Sequence, residues 1–503
     1  MTQATSCILH QKIKLVFGEL KIDNTVIILV VLIAYKILLV GVGLWAQRRN
    51  NDIQGFLIGD RELGPVVASI SYAASSSSAW TLLGVSGVAF ATGISAVWFV
   101  VGSIVGMLIS WTFIAPQLMR LSHQHNLVTL TDILVLKLNG SWAKAISVFA
   151  SLTIVVCFGF YVAAQLQGAG QTFHHAFSLD QNNSIVIGAI IVLVYTLLGG
   201  FWAVSVTDTI QGLLMLVASI LLPVTAYLSM GGFNGFWQSY TLVASASELD
   251  WFNNRTGLAA FGFVFGIVGV SFGTFGQPHL LVRFMALRDN KALVRARLIA
   301  VAWFSIVFGG MFFLGLAGRV LLGELSNSES VFIVLTEQLF SPIVAGIIIA
   351  ALLSAIMSTA DSQLLAGAAA ISYDLGIARY FKGHEILVSR LAITLLLIAS
   401  CLIAVNIPAS IFSRALLAWS ALGAAFGPIV IFRVLKLNPS AAAVFLAMSA
   451  GFFTAAWFHF YPNSLSTIIS PSLLPGTMLE RVGSFLLGLL ILLISHLKRA
   501  KAQ

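Results

Sequence analysis

Charged residues are scarce in this chain, and their scarcity decides its class. Lys, Arg, Asp and Glu make up only 9% of the 503 residues, whereas 59% are hydrophobic. Soluble domains carry about 25% charged residues, so the mean hydropathy of +0.98 excludes a soluble globular protein. We therefore expect an all-α polytopic membrane protein that forms a single transmembrane domain over residues 1–503.

Motifs for catalysis and nucleotide binding are also missing. The sequence has no Walker-type GxxxxGK[ST], no HExxH, no GxSxG or GxGxxG in a strand context, and no TVGYG filter. These absences disfavour an ATP-driven pump, an enzyme and a potassium channel. The three cysteines, Cys7, Cys157 and Cys401, form no CxxC pair, so we predict neither a disulfide framework nor a thiolate metal site.

The sequence consists mainly of long apolar runs. A membrane helix needs about 20 mostly apolar residues, and this rule predicts about 13 spans. They are expected to begin near Thr25, Pro65, Ala96, Trp142, Asn183, Ala203, Leu258, Leu298, Ile343, Leu391, Phe412, Ala441 and Val482.

The net charge of +9 is spread over short loops beside these spans, which disfavours nucleic acid as a partner. Alternate loops hold most of the cations, for example Arg288, Lys291 and Arg295. The positive-inside rule places these loops in the cytoplasm. We therefore predict a multi-pass membrane protein with its N-terminus outside and its C-terminus in the cytoplasm.

The second span is interrupted by the polar sequence ASSSSAW (74–80). Unwound backbone is tolerated at membrane depth only where it lines a cavity. Freed carbonyls and adjacent hydroxyls suit Na⁺, a hard cation with a preference for oxygen ligands. The alternative explanation is close helix packing through small residues.

The seventh span contains a second interruption, GVSFGTFGQP (269–278). Gly- and Pro-interrupted spans at matching positions in two halves point to a transporter binding site. The two interruptions lie five spans apart, which predicts two inverted five-helix repeats, at about 65–230 and 257–435, with extra helices at both ends. This match favours a binding site over packing.

The ninth span carries four small or polar residues, Ala355, Ser358, Thr359 and Ser362, at a spacing that places them on one helix face. Asp361 lies on an adjoining stripe, where a carboxylate at membrane depth costs about 2.5–3.5 kcal/mol. It either faces a wet cavity or a partner side chain, or it caps a cytoplasmic helix end.

Two further residues have alternative interpretations. Asp208 is either an N-cap at the start of the sixth span or an ion relay on the cytoplasmic exit path. Tyr161, in the fourth span, either fills the core through a bond to backbone or contacts substrate.

Several motifs, in this order along the chain, resemble the sodium/solute symporter family, most closely its bacterial proline-transporting members. They are GDRELGP (59–65), GGFWAVSVTDT (199–209), FGQPH (275–279), RFMA (283–286), AIMST (355–359) and GAAFGP (423–428). The resemblance implies a leucine-transporter-like fold and a place in the bacterial cytoplasmic (inner) membrane. It also implies Na⁺-coupled import of an amino acid, proline or a related small solute, by alternating access.

The resemblance also implies site residues. The Na⁺ site maps onto the carbonyls of Ala74, Ser77 and Ala355 and the hydroxyls of Ser358 and Thr359. Asp208 matches an aspartate linked to cation passage. The substrate positions that it implies are Ser78, Ala79, Tyr161 and Pro278.

Four positions depart from the proline carriers. Those proteins have acidic residues where this chain has Ser76 and Ala96, and aromatic residues where it has Val270 and Thr274. Val270 and Thr274 are therefore further candidates for substrate contact, in a pocket with fewer aromatic walls. Alternatives are a solute sensor of the same fold with weak or no Na⁺ coupling, and a symporter for another organic solute such as pantothenate, or one coupled to H⁺.

Overall fold

The computed structural model describes residues 24–47, 53–407, 409–465 and 475–500, and within these ranges the chain consists of helices joined by turns and loops, without a β-strand. The α-helices are α1 (Asn24–Gln47), α2 (Ile53–Ile58), α3 (Pro65–Ser76), α4 (Ser86–Thr92), α5 (Val97–Ile109), α6 (Ala115–His125), α7 (Leu130–Leu134), α8 (Gly140–Phe177), α9 (Gln181–Leu198), α10 (Phe201–Ser229), α11 (Gly232–Val243), α12 (Gly257–Val268), α13 (Val270–Gly273), α14 (Pro278–Met285), α15 (Asn290–Leu322), α16 (Val331–Leu339), α17 (Pro342–Ala369), α18 (Glu385–Asn406), α19 (Ile411–Val434), α20 (Ala441–Phe460), α21 (Gly476–Met478) and α22 (Ser484–Ala500).

Within the described ranges, 11 helical segments are long and apolar enough to cross a membrane. The sequence predicts about 13 spans, and the two numbers differ at two places. Trp80–His125 counts as one segment although Gly93, at φ +68°, divides it. Gln181–Val194 is apolar but falls short of a full span. A span that is broken or shortened fails a length criterion while still forming part of the bundle.

The second span is broken where the sequence predicts. α3 begins at Pro65, whose fixed φ suits the first helical position, and it ends at Ser76. Ser77 has a non-helical backbone (φ −100°, ψ 83°), and the chain becomes helical again in a π-helical turn, Trp80–Val85, that leads into α4. The break falls within the serine run, whose hydroxyls compete with backbone hydrogen bonds.

The seventh span is broken as well. α12 is followed by the single turn α13, and Gln277 adopts an extended conformation (φ −83°, ψ 108°) before α14 starts at Pro278. Glycine is required here because α19 lies against the break. A Cβ on Gly273 would come within 1.9 Å of Trp419, and one on Gly276 within 2.2 Å of the Leu422 carbonyl oxygen.

Two helices form the centre of the bundle. In the most apolar stretch of each span, 83% of the residues are buried in α17 and 94% in α19, compared with 22% in α1. α17 contacts α3 and α19 contacts α13. Each interrupted span therefore packs against an almost completely buried helix at the centre of the bundle. The division into two inverted repeats stays a prediction.

Candidate functional site

The predicted cation ligands of the second and ninth spans meet where α3 ends against α17. Ser358 Oγ lies 3.1 Å from the Ala74 carbonyl oxygen and 3.2 Å from that of Ala355. Thr359 Oγ1 lies 3.5 Å from the Ala74 oxygen and 3.1 Å from the Ser75 carbonyl oxygen. All of these residues are fully buried. The arrangement concentrates five neutral oxygens from two helices in one small volume.

Ser77 is the remaining predicted ligand. Its amide donates to the Ala73 carbonyl oxygen, which closes the last turn of α3. Its Oγ is buried and has no hydrogen-bond partner among the described residues. Buried polar atoms without a partner are rare in proteins, so this hydroxyl is an additional oxygen available at the break.

A second polar cluster lies beside the first and contains a buried ion pair. Arg283 Nη2, on α14, is 2.7 Å from Asp208 Oδ2, on α10. The same nitrogen lies 2.7 Å from both Ser75 Oγ and Ser362 Oγ. Arg283 Nε donates to Ser71 Oγ at 2.8 Å. Ser75 belongs to both clusters, because its carbonyl faces Thr359 and its hydroxyl faces Asp208.

The position of Asp208 corrects one interpretation. Gly200 is the N-cap of α10, so Asp208 lies two turns inside the helix. The N-cap interpretation is therefore wrong. The carboxylate is fully buried, and its Oδ1 has no hydrogen-bond partner in the described part of the chain.

Asp361 is fully buried within α17 and accepts a hydrogen bond from Thr196 Oγ1 at 2.6 Å. It therefore does not cap a helix end.

Two of the predicted substrate positions, Ser78 and Ala79, lie within the break. A third, Tyr161, lies on α8, which packs beside it. Gln165, one turn after Tyr161, accepts from the Ala79 amide at 3.0 Å and donates to Ser78 Oγ at 3.2 Å. Tyr161 OH accepts from Trp80 Nε1 at 2.8 Å. These contacts hold the unwound segment and the ring of Trp80 in place.

Trp80 also lines a small cavity. Its lining combines side chains from both interrupted spans with aromatic residues, namely Tyr72, Ser76, Trp80, Ser103, Met107, Val270, Thr274, Phe304, Phe308 and Trp419. Its volume is about 10 Å³, which holds about one water molecule. An organic solute enters only after these side chains move apart.

A layer of aromatic rings lies between this cavity and a larger one. Trp80 packs against Phe99 with ring centroids 5.6 Å apart, and Phe99 packs against Phe412 at 5.2 Å. Phe99, Phe412 and Ala96 also line a cavity of about 580 Å³. The large cavity lies on the face that the sequence predicts to be outside, so the layer has the position of an outer gate.

Glu329 holds the helix that carries Phe412. Its two carboxylate oxygens accept from the backbone amides of Ile411 and Phe412, at 3.3 and 3.0 Å, at the start of α19. Burial raises the pKa of the Glu329 carboxyl above its usual range.

Comparison with known proteins relates this geometry to a family. Residues 56–451 match the family model described as "Sodium:solute symporter family". The chain is 30% identical over 437 residues to the sodium/proline symporters of Staphylococcus aureus strains JH9 and NCTC 8325, and the match covers 84% of each chain. The chain belongs to the sodium:solute symporter family.

Solved structures confirm the fold of this family member. A Na⁺-coupled sialic acid symporter, in a substrate-bound outward-open state, superposes with a TM-score of 0.76 at 18% identity, over 96% of this chain and 99% of the other. MhsT, in complex with L-phenylalanine, superposes with a TM-score of 0.55 at 14% identity, over 86% and 99%. The predicted leucine-transporter-like fold is therefore confirmed.

Within this symporter, Pro278 lies apart from the other predicted substrate positions. It lines a separate narrow cavity together with Arg283, and not the cavity between Trp80 and Val270.

Sequence reasoning did not identify three residues of the symporter that contact the candidate sites. Trp419 donates from Nε1 to the Val270 carbonyl oxygen at 2.8 Å and supplies an aromatic wall beside Val270 and Thr274. The signal for Trp419 was a single Trp in a span rich in Ala and Gly. Gln165 and Arg283 were detectable only as polar side chains near predicted motifs.

Proposed function

We propose that this protein is a Na⁺-coupled symporter that imports proline or a closely related small amino acid across the bacterial inner membrane. The observation that carries this proposal is the meeting of the Ala74 carbonyl with the Ser358 and Thr359 hydroxyls. Family membership supports Na⁺ as the coupling ion.

The ligand set suits a monovalent cation. The oxygens contributed by Ala74, Ala355, Ser358 and Thr359 are all neutral carbonyls or hydroxyls. Divalent cations in proteins usually rely on carboxylates, and Asp208, a carboxylate that contacts Ser75 beside the site, is already paired with Arg283. A single positive charge among neutral oxygens is the arrangement expected for Na⁺.

The position of the candidate Na⁺ site between α3 and α17 explains how ion binding would be coupled to transport. Na⁺ would bridge the end of α3 and the middle of α17, two helices of different spans. It would therefore favour the conformation in which they are close together. The same break presents Ala79 and Ser78 to Gln165, so an ion that orders the break also orders the neighbouring substrate positions. The membrane potential adds about 2.3 kcal/mol per 100 mV to the driving force for import when one positive charge moves inward.

The lining of the central cavity supports a compact, partly apolar solute. Trp80, Phe308 and Trp419 provide aromatic walls, and Ser76 and Thr274 provide hydroxyls. A pocket of apolar walls with few polar groups suits a small ring that carries polar substituents. Trp419 supplies an aromatic wall beside Val270 and Thr274, the two positions where proline carriers have aromatic residues. The S. aureus relatives named sodium/proline symporters support the same solute.

The test is uptake into proteoliposomes of purified protein, with a panel of labelled amino acids and pantothenate. We expect accumulation of proline that requires an inward Na⁺ gradient and is abolished by a Na⁺ ionophore. Accumulation driven by a proton gradient alone would contradict Na⁺ coupling. Solute binding without accumulation would favour the sensor alternative, and uptake of another solute would overturn the assignment of proline.

A further inference from the structure

A narrow cavity lies between the candidate Na⁺ site and the face that the sequence predicts to be cytoplasmic. Its volume is about 30 Å³, which holds about two water molecules. The lining comes mainly from α17, α14 and the residues around α7, and its polar side chains are Thr129, Thr131, Arg283, Ser362 and Asp374.

One face of α17 joins this cavity to the candidate Na⁺ site. Ser362, Ala366 and Ala369 follow Ser358 at steps of three or four residues, which places them on the same side of the helix. At a rise of 1.5 Å per residue, Ser358 and Ala369, the last residue of α17, are about 17 Å apart along the helix axis. A π-helical turn, Ala370–Asp374, continues the chain from there. The face that carries the Na⁺ ligands therefore continues as a wall of the cavity toward the helix end.

Arg283 lies at the end of this route that is next to the candidate Na⁺ site. Its Nη2 lies 2.7 Å from Ser362 Oγ, and the residue also lines the cavity. A guanidinium is always charged, and it is surrounded here by low-dielectric protein. Its positive charge opposes the passage of another cation until the side chain withdraws.

Oxygen atoms line the cytoplasmic end of this route. The Asp374 carboxylate accepts from Thr129 Oγ1 at 2.7 Å. The Thr131 hydroxyl faces the same carboxylate and is 2% exposed, but it has no partner within hydrogen-bonding geometry in the described part of the chain. Among the described residues, no Lys or Arg forms an ion pair with Asp374. A carboxylate without a protein cation and two hydroxyls that face it thus share one cavity.

We propose that Asp374, Thr129 and Thr131 form a transient Na⁺ site at the cytoplasmic end of the release route. Arg283 closes the opposite end, next to the candidate Na⁺ site. One carboxylate and two hydroxyls match a monovalent hard cation and provide too few ligands for tight binding. A weak site is what release requires, because an ion that binds tightly at the exit slows each cycle. This inference rests on the proposed Na⁺ coupling.

The experiment compares the two sides of the membrane. In oriented proteoliposomes, the Na⁺ concentration for half-maximal proline transport is measured for influx, which reports the outer side, and for efflux, which reports the cytoplasmic side. Asp374→Asn should raise the cytoplasmic value about tenfold, since it removes the only charge of the site. The outer value should stay within twofold of wild type.

Glu385→Gln is the matched control, because it changes another carboxylate near the same helix end that does not line the cavity. If Asp374→Asn does not assemble, Thr131→Val decides, because it removes one proposed oxygen ligand while the side chain keeps its shape. It should raise the cytoplasmic value several-fold. Equal changes on both sides, or none in either variant, would overturn the inference. Absence of Na⁺ dependence in the wild type would instead overturn the proposed function.

Discussion

The Na⁺ site makes a quantitative prediction that can be tested at single hydroxyls. Ser358→Ala and Thr359→Val each remove one oxygen that lies within 3.1 Å of a carbonyl oxygen at the end of α3. Both substitutions keep the helix and most of the packing volume of α17.

The size of the effect follows from the charge of the ligand. A hydrogen bond to a charged group contributes about 1.5–3 kcal/mol, and we take a neutral oxygen on Na⁺ to be similar. Each substitution should therefore raise the Na⁺ concentration for half-maximal proline uptake by about tenfold or more, since 1.4 kcal/mol corresponds to a factor of ten. The maximal rate at saturating Na⁺ should change much less.

Ser354→Ala is the control, because Ser354 is a buried serine on the same helix whose hydroxyl bonds to the Ala350 carbonyl oxygen instead of facing α3. The assay is initial uptake into proteoliposomes across a Na⁺ series, with protein amounts matched. If the Na⁺ dependence of Ser358→Ala and Thr359→Val stayed within twofold of Ser354→Ala, these hydroxyls would not be Na⁺ ligands.

Three further predictions concern the central cavity and the outer gate. Ser76→Asp should lower the Na⁺ concentration for half-maximal uptake several-fold, because a carboxylate beside the break attracts the cation; an unchanged or higher value in the same assay would contradict this. Trp419→Leu should raise the KM for proline about tenfold and favour larger amino acids in competition assays, since it removes an aromatic wall, and an unaltered solute preference would show that Trp419 does not face substrate. Glu329→Gln should loosen the start of α19 and increase labelling of a Thr274→Cys reporter by an external thiol reagent. Because burial raises the pKa of Glu329, mild external acid should increase labelling in the protein with native Glu329 and change it little in Glu329→Gln, and equal pH dependence in both would exclude Glu329 as the gating group.

The sequence by itself determined the membrane class, the two broken spans and the hydroxyl-bearing face of the ninth span. These features are local, because apolar runs, glycine and proline interruptions and the spacing of hydroxyls along one helix are all visible within about 20 residues. The helix break at Ser77 and the polar face of α17 therefore agree with expectation. The Asp208 interpretation failed for a local reason as well, since the double glycine that starts α10 lies eight residues upstream.

Tertiary structure alone decided which side chains complete the sites. Trp419 contacts Val270 across 149 residues of sequence, Arg283 reaches Asp208 across 75, and Gln165 contacts Ala79 across 86. No local pattern encodes these pairs, because each depends on how two helices cross and on the glycines that permit close approach. Polar side chains such as Arg283 are tolerated at this depth only when the fold supplies partners, and those partners come from three other helices.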